Sequence, residues 1–300
     1  MAKLLYIVNE SYFFMSHRLP IARAARAAGY QVHVAAPEDH VWAPEGFTVQ
    51  ALSDAGFAFH PIPLSRRGTN PWQEARTLIA LWRLIRGLRP ELVHLLTIKP
   101  LLYGGLAARL LGVPGVVAAV TGLGQVFVSS GATAGLLRRL AVMAYRVATG
   151  HPNGRVIVQN AGDMETLARS GAVKPERMVL IRGSGVSLSA FAPSPEPDGP
   201  PLVILPARMI WEKGVAEFVE AARLLRARGV EARFALVGDS KASNPRAVPQ
   251  PTLEKWSREG GVEWWGRRTD MARVFAGAHV VCLPSTYGEG VPKVLIEAAA

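Results

Sequence analysis

Short apolar runs alternate along this chain with stretches whose apolar residues recur at helical spacing, and the alternation occurs in two series. In the first, KLLYIVN at 3–9, QVHVAAP at 31–37, FAFHPI at 57–62, ELVHLL at 91–96, GVVAAV at 115–120, RVIVQ at 155–159 and MVLI at 178–181 read as strands. SHRLPIARAARAAG at 16–29, closed by Gly29, NPWQEARTLIALWRLIRGL at 70–88 and PLLYGGLAARLLG at 100–112 read as helices between them. Runs this uniformly apolar are buried on both faces, so the pattern predicts a parallel sheet covered on both sides by helices. The second series has strands in PLVILPA at 201–207, RFALVGD at 233–239, VEWWG at 262–266 and HVVCLP at 279–284. Its helices lie in 214–229, 251–260, 270–278 and from Pro292 onward. Between the series, GSGVSLSAFAPSPEPDGPP is rich in Gly, Ser and Pro, as a connection between domains should be. The expected class is α/β, with two doubly wound, Rossmann-like domains in tandem. The first covers residues 1–182, the linker 183–200 and the second 201–300. The last helical pattern stops in mid-period, so the second domain is expected to be truncated and the protein incomplete at its C-terminus.

Composition narrows the function classes. A sequence of 300 residues, 49% of them hydrophobic and 19% charged, can bury two cores, which excludes a disordered protein. Cys282 is the only cysteine, so a disulfide scaffold and a thiolate zinc cluster are excluded. Glu10 cuts the first apolar run short, so no signal peptide or N-terminal anchor is expected and the cytoplasm is the default compartment. Residues 110–137 carry no charge, but their six glycines, Pro114 and Gln125 favour a strand, a loop and a helix start over a membrane span. The net charge of +11 is uneven, with about +10 in residues 1–182 and +1 in the rest. A field of that sign suits polyanions such as anionic lipid or diphosphates, and also suits simple solubility. No nucleic-acid motif accompanies it, so nucleic acid is not expected as a partner.

The chemistry must then come from strand ends, where helix N-termini favour anions. A dinucleotide fingerprint is missing: NESYFFMSH follows the first strand, and Gly122 and Gly124 form a lone pair of glycines. A phosphate-binding Walker sequence is also missing. Arg208 follows the strand PLVILPA, and Lys213 stands five residues on, just before a helix. Together they can grip a diphosphate, or can be a solvated pair bonded to Glu212. In YGEGVPKVLIEAAA, Glu289 lies just before a helix expected to run from Pro292, and Glu297 lies over a turn inside it. Two carboxylates there suit the hydroxyls of a sugar and a ribose, or serve as a cap and an exposed helix residue. The absence of any Asp-x-Asp pair argues against a metal and leaves fixed cations to neutralise a leaving diphosphate.

These residues resemble a known family. Arg208 with Lys213, the Glu289 and Glu297 frame EGVPKVLIEAAA, LVGDS at 236–240, EWWGRRTDM at 263–271 and VVCLPSTYGEG are similar to the donor-site signature of retaining glycosyltransferases of family 4. FFMSHRLP, HLLTIKPLLYGGLAARLLGVPG and VTGLGQVF extend the resemblance into the first domain. They resemble the branch acting on polyprenyl-diphosphate-linked saccharides in bacterial surface-polysaccharide or glycan synthesis. The resemblance implies a GT-B fold, two Rossmann-like domains facing across a cleft. It implies transfer with retention from a nucleotide sugar, most simply a UDP-sugar, to a lipid-linked saccharide, with no cofactor and no metal. Arg208, Lys213 and Glu289 would be catalytic. The amides of Gly290, Val291, Pro292 and Lys293 would hold the sugar, Glu297 the ribose, and the loop of Trp265, Gly266 and Arg267 the base.

Many members of that family carry a His where this chain has Thr121. His17 after the first strand, or His94 and Lys99 at the end of the fourth, would supply a polar group beside Thr121, Gly122 and Gly124 instead. For each histidine an ordinary structural role is the competing expectation. The stretch 133–151 would form an amphipathic helix with Leu136, Leu137, Leu140, Ala144 and Val147 on one side and Arg138, Arg139 and Arg146 at its edge. That helix suits an anionic membrane surface or packing on the sheet with its arginines in water, so attachment to the inner face of the cytoplasmic membrane stays open. The rival activities are a sugar-nucleotide 2-epimerase of the same fold and an inactive nucleotide-binding fragment.

Overall fold

The computed structural model describes residues 1–38, 47, 49–65, 70–122, 132–242, 244–286 and 291–300. The chain divides into two compact units, Met1–Ser184 and Gly185–Ala300. In the first, seven strands pair in parallel: β1 (Lys3–Ile7), β2 (Gln31–Ala36), β3 (Ala58–Pro61), β4 (Leu92–Leu96), β5 (Gly115–Val120), β6 (Gly154–Val158) and β7 (Met178–Leu180). Their spatial order is β3-β2-β1-β4-β5-β6-β7. The helices are α1 (Ser11–His17), α2 (Leu19–Ala27), α3 (Gln50–Asp54), α4 (Pro71–Leu88), α5 (Ile98–Leu110), α6 (Ala132–Thr149) and α7 (Ala161–Arg169).

Because side chains alternate along a strand, β1 divides its residues between two cores. Leu5 and Ile7 join Val93, Leu95 and Leu101 on one face, while Leu4, Tyr6 and Val8 join Phe14 and Ala22 on the other. Local signals start and stop the helices. Asn70 caps α4 by accepting from the Trp72 amide at 3.1 Å, Pro71 opens it, and Arg89 ends it in the left-handed region at φ 51°. One helix departs from the sequence reading. The segment after β1 is helical from Ser11, because Tyr12 to Met15 bring Phe14 into the core, and a separate helix α2 begins only after Arg18.

The second unit holds β8 (Leu202–Pro206), β9 (Arg233–Val237), β10 (Glu263–Gly266) and β11 (Val280–Val281), again parallel, in the order β10-β9-β8-β11. Its helices are α8 (Val215–Ala227), α9 (Gln250–Arg258), α10 (Met271–Ala276) and α11 (Lys293–Ala299). In each sheet the winding reverses once, between β1 and β4 in the first and between β8 and β11 in the second. Loops leaving the carboxyl ends of two such strands run to opposite faces and leave a crevice. No described helix is long and apolar enough to cross a membrane, and the uncharged stretch 110–137 contains β5 and the start of α6.

Candidate functional site

The reversal between β8 and β11 is where Arg208, Lys213 and the Glu289–Glu297 segment originate. After β8 the backbone leaves through Ala207 to an exposed Arg208, and hydrogen bonds tie this exit to its neighbours. The Met209 amide donates to the Asp239 carbonyl at 3.0 Å, the Gly238 amide to Gly266 at 2.8 Å, and the Trp264 indole to Gly238 at 2.9 Å. Lys213 ends a single 3-10 turn, Trp211–Lys213, and Gly214 at φ 73° redirects the backbone into α8. A Cβ on Gly214 would overlap the Pro284 carbonyl, so the loop leaving β11 lies directly against the start of α8. The Thr286 amide donates to the Glu212 carbonyl at 2.9 Å, which fixes the two loops side by side. Arg208 and Lys213 are thus carried on one loop whose neighbour is the approach to Glu289. Glu212, between them, bonds Arg246 at 3.1 Å.

Glu289 and Gly290 lie outside the described residues. Val291 and Pro292 are half-buried, and α11 begins at Lys293 with Pro292 as its cap, one residue later than the sequence spacing suggests. Glu297 is only 11% exposed and pairs with Lys293 one turn earlier, a contact that orients its carboxylate. Trp265 and Gly266 are not loop residues. They belong to β10, where the Trp265 indole packs on Ile204, Val237 and Val274 and donates to Glu263 at 2.8 Å. Arg233 grips the same carboxylate and holds its pKa below the usual range. The sheet claims this tryptophan because its position in the strand places the ring over the core, and only Arg267 of that segment remains exposed at the strand end.

In the first unit Thr121 and Gly122 follow β5 and are half-buried, while Gly124 lies outside the described residues. The three candidates for a polar group there are corrected in position. His17 is the last residue of α1 rather than a loop residue, its ring stacked on Phe13 at 4.5 Å and its Nδ1 2.7 Å from the Ser16 hydroxyl. His94 is the third of five residues in β4, not its end. It is 6% exposed, lies against Tyr6 with ring centroids 5.1 Å apart, and burial pulls its pKa down to about 3, so it is neutral. Lys99 sits inside α5, its Nζ 2.5 Å from Glu74 on α4, and Glu74 also accepts from the Tyr103 hydroxyl at 2.6 Å. That lysine ties two helices together.

A residue that the sequence reading did not single out is Arg18, between α1 and α2. Its guanidinium sits beside Tyr6 and His94, and burial lowers its pKa. The motif FFMSHRLP contains it, but in a bare sequence the neighbouring histidine is the stronger signal, because only His titrates near neutrality. On α6, Tyr145 and Ala148 face the core, while Leu140, Met143, Ala144 and Val147 are partly or fully exposed beside Arg139 and Arg146. The side chains of Leu136, Leu137 and Arg138 lie outside the described residues. Among the described residues no group of three or more His, Cys, Asp or Glu could hold a metal ion.

Two family models match the sequence: Glycosyl transferase 4-like over residues 3–150 and Glycosyl transferases group 1 over residues 200–300. Between them they leave only 1–2 and 151–199 unmatched. A similar curated protein is the N,N'-diacetylbacillosaminyl-diphospho-undecaprenol alpha-1,3-N-acetylgalactosaminyltransferase of Campylobacter jejuni, 27% identical over 96% of this chain and 77% of that protein. Another is the UDP-Gal:alpha-D-GlcNAc-diphosphoundecaprenol alpha-1,3-galactosyltransferase of Escherichia coli, 26% identical over 82% of this chain and 65% of that protein, just under two thirds of its length. Among solved structures, Anabaena HepE in complex with UDP and glucose superposes with a TM-score of 0.71 at 17% identity, covering 99% of this chain and 78% of that one. Two parallel α/β sheets, GT-B structural neighbours and glycosyltransferase models over both units lead to one conclusion: the chain belongs to the glycosyltransferases of family 4, with the GT-B fold.

Proposed function

We propose that this protein transfers a sugar from a UDP-sugar to a saccharide carried on a polyprenyl diphosphate, with retention and without a metal ion. The observation that carries the reading is the placement of Arg208 and Lys213 on the loop at the β8/β11 reversal, against the loop that leads to Glu289 and Glu297. A diphosphate bound at the start of α8 would meet both cations, and fixed cations can stabilise the leaving UDP as a metal would elsewhere. Glu297, oriented by Lys293, would accept from ribose hydroxyls, and Glu289 with the amides of Gly290 to Lys293 would hold the transferred sugar. Arg267 is the exposed part of the segment proposed to meet the base.

The acceptor follows from the relatives, whose names specify undecaprenyl-diphosphate-linked saccharides. The exposed Leu140, Met143 and Val147 on α6, flanked by Arg139 and Arg146, would rest on an anionic membrane where such an acceptor lies. The test is a transfer assay with UDP-sugars and an undecaprenyl-diphosphate-linked saccharide, with and without EDTA, reading the anomeric configuration of the product by NMR. Transfer in EDTA with the donor configuration kept is expected. Inversion, or loss of transfer in EDTA restored by a divalent ion, overturns the mechanism, and epimerised UDP-sugar without transfer overturns the activity.

A further inference from the structure

We infer that Arg18 anchors a second anion-binding subsite, inside the first unit at the crevice between β1 and β4, which takes a diphosphate group of a substrate. The inference rests on the transfer reading for the identity of the anion, and on the geometry for its charge. Arg18 closes α1 and precedes α2, and its guanidinium is turned to the face of the sheet that carries Tyr6 and His94. Its Nε is fully buried and has no hydrogen-bond partner, and among the described residues no carboxylate pairs with it. The groups facing it are a tyrosine hydroxyl and a neutral imidazole, neither of which offers negative charge.

Arg18 as a whole is partly buried, but its Nε is shut away from water, and a donor of a cationic group left there without a partner is costly unless something binds it. The surroundings repeat the deficit. His94, 6% exposed, has an Nε2 with no partner, and the Thr97 hydroxyl at the end of the same strand is buried and also unpartnered. Thr97 is held at φ 75°, a left-handed backbone that a threonine adopts only when its surroundings impose it. Thr97 follows the carboxyl end of β4, one of the two strands between which the winding reverses, the place where a doubly wound sheet receives ligands, and His94, three residues earlier within that strand, stands beside Arg18. A guanidinium fork matches phosphate oxygens in pairs, and a neutral imidazole and a hydroxyl can each donate one further bond. The proposed reaction offers two sources for such a group: the lipid-linked diphosphate of the acceptor and the diphosphate of the nucleotide.

The two sources separate by calorimetric titration of the full-length protein with farnesyl diphosphate and with UDP, comparing wild type with Arg18→Met and Arg208→Met. If the subsite takes the lipid diphosphate, Arg18→Met weakens farnesyl diphosphate at least tenfold and leaves UDP within twofold. If it takes the nucleotide, the same variant weakens UDP instead. Either result supports the subsite. Arg18→Lys, which keeps the charge and loses the fork, should fall between wild type and Arg18→Met, and thermal melting of each variant shows that the fold persists. If Arg18→Met and Arg18→Lys bind both probes as wild type does, and differ only in melting temperature, Arg18 is structural and the inference is overturned. In that case loss of UDP in Arg208→Met would leave the proposed donor site standing. Weakened diphosphate binding in Arg18→Met without any sugar transfer by the wild type would instead keep the subsite and remove the proposed activity.

Discussion

The carbonyl of Pro284 occupies the space that a side chain on Gly214 would need. This contact seats the loop leaving β11 on the first turn of α8 and so brings the approach to Glu289 beside Lys213. Gly214 also holds φ 73°, which an alanine reaches only with strain. Gly214→Ala therefore meets two obstacles, and a loss of about 2 kcal/mol or more is expected in urea denaturation, together with weaker UDP binding. Wild-type stability and UDP affinity in this variant would show that the two loops are not coupled.

Arg208 and Lys213 are expected to act on the departing diphosphate. Arg208→Ala and Lys213→Ala should each lower kcat by about 10²–10³-fold, the cost typical of removing one fixed stabiliser of a developing charge. A rise in KM with kcat unchanged, seen in steady-state transfer kinetics, would assign them to ground-state binding only.

Lys99 is expected to behave as a structural residue. Its contact with Glu74 joins α4 to α5, with both side chains about a fifth exposed, and Lys99→Met leaves that carboxylate without its cation. A stability loss of about 1–2 kcal/mol with kcat within threefold of wild type is the expected result. A hundredfold fall in kcat with unchanged melting would place Lys99 among the catalytic groups.

His94 makes stability depend on pH in a definite direction. Its pKa falls from the usual 6.5 to about 3 on burial, so between these values the unfolded state holds a proton that the folded state does not. Stability from this group is therefore highest above pH 6.5 and declines as the pH is lowered toward 3. Burial lowers His33 and His60 as well, so they act in the same direction. Comparing urea unfolding at pH 7.5 and pH 5.0, wild type should lose about 2 kcal/mol more than His94→Gln. Equal losses would mean that His94 titrates normally.

The alternation of apolar runs is enough to place the eleven described strands and most helices, because a strand buried on both faces leaves a local trace in every residue it contains. Asn70, Pro71 and Gly214 mark helix starts for equally local reasons. The pairing of Arg208 with Lys213 is legible for the same reason: one short loop carries both. What no local pattern holds is which strand lies beside which. The order β10-β9-β8-β11 puts the segments around residues 208 and 286 at one sheet end although nearly eighty positions separate them, and hydrogen bonds such as Thr286 to Glu212 decide it. His94 and Lys99 look alike in sequence, two polar residues near a strand end. The sheet register sets His94 opposite Tyr6, and the packing of α4 on α5 gives Lys99 to Glu74. In the sequence Arg18 is one more arginine among many, because the burial of its Nε and the lack of a counter-charge among the described residues belong to the neighbours that the fold assembles, and a charge written in a sequence says nothing about the water it will lose.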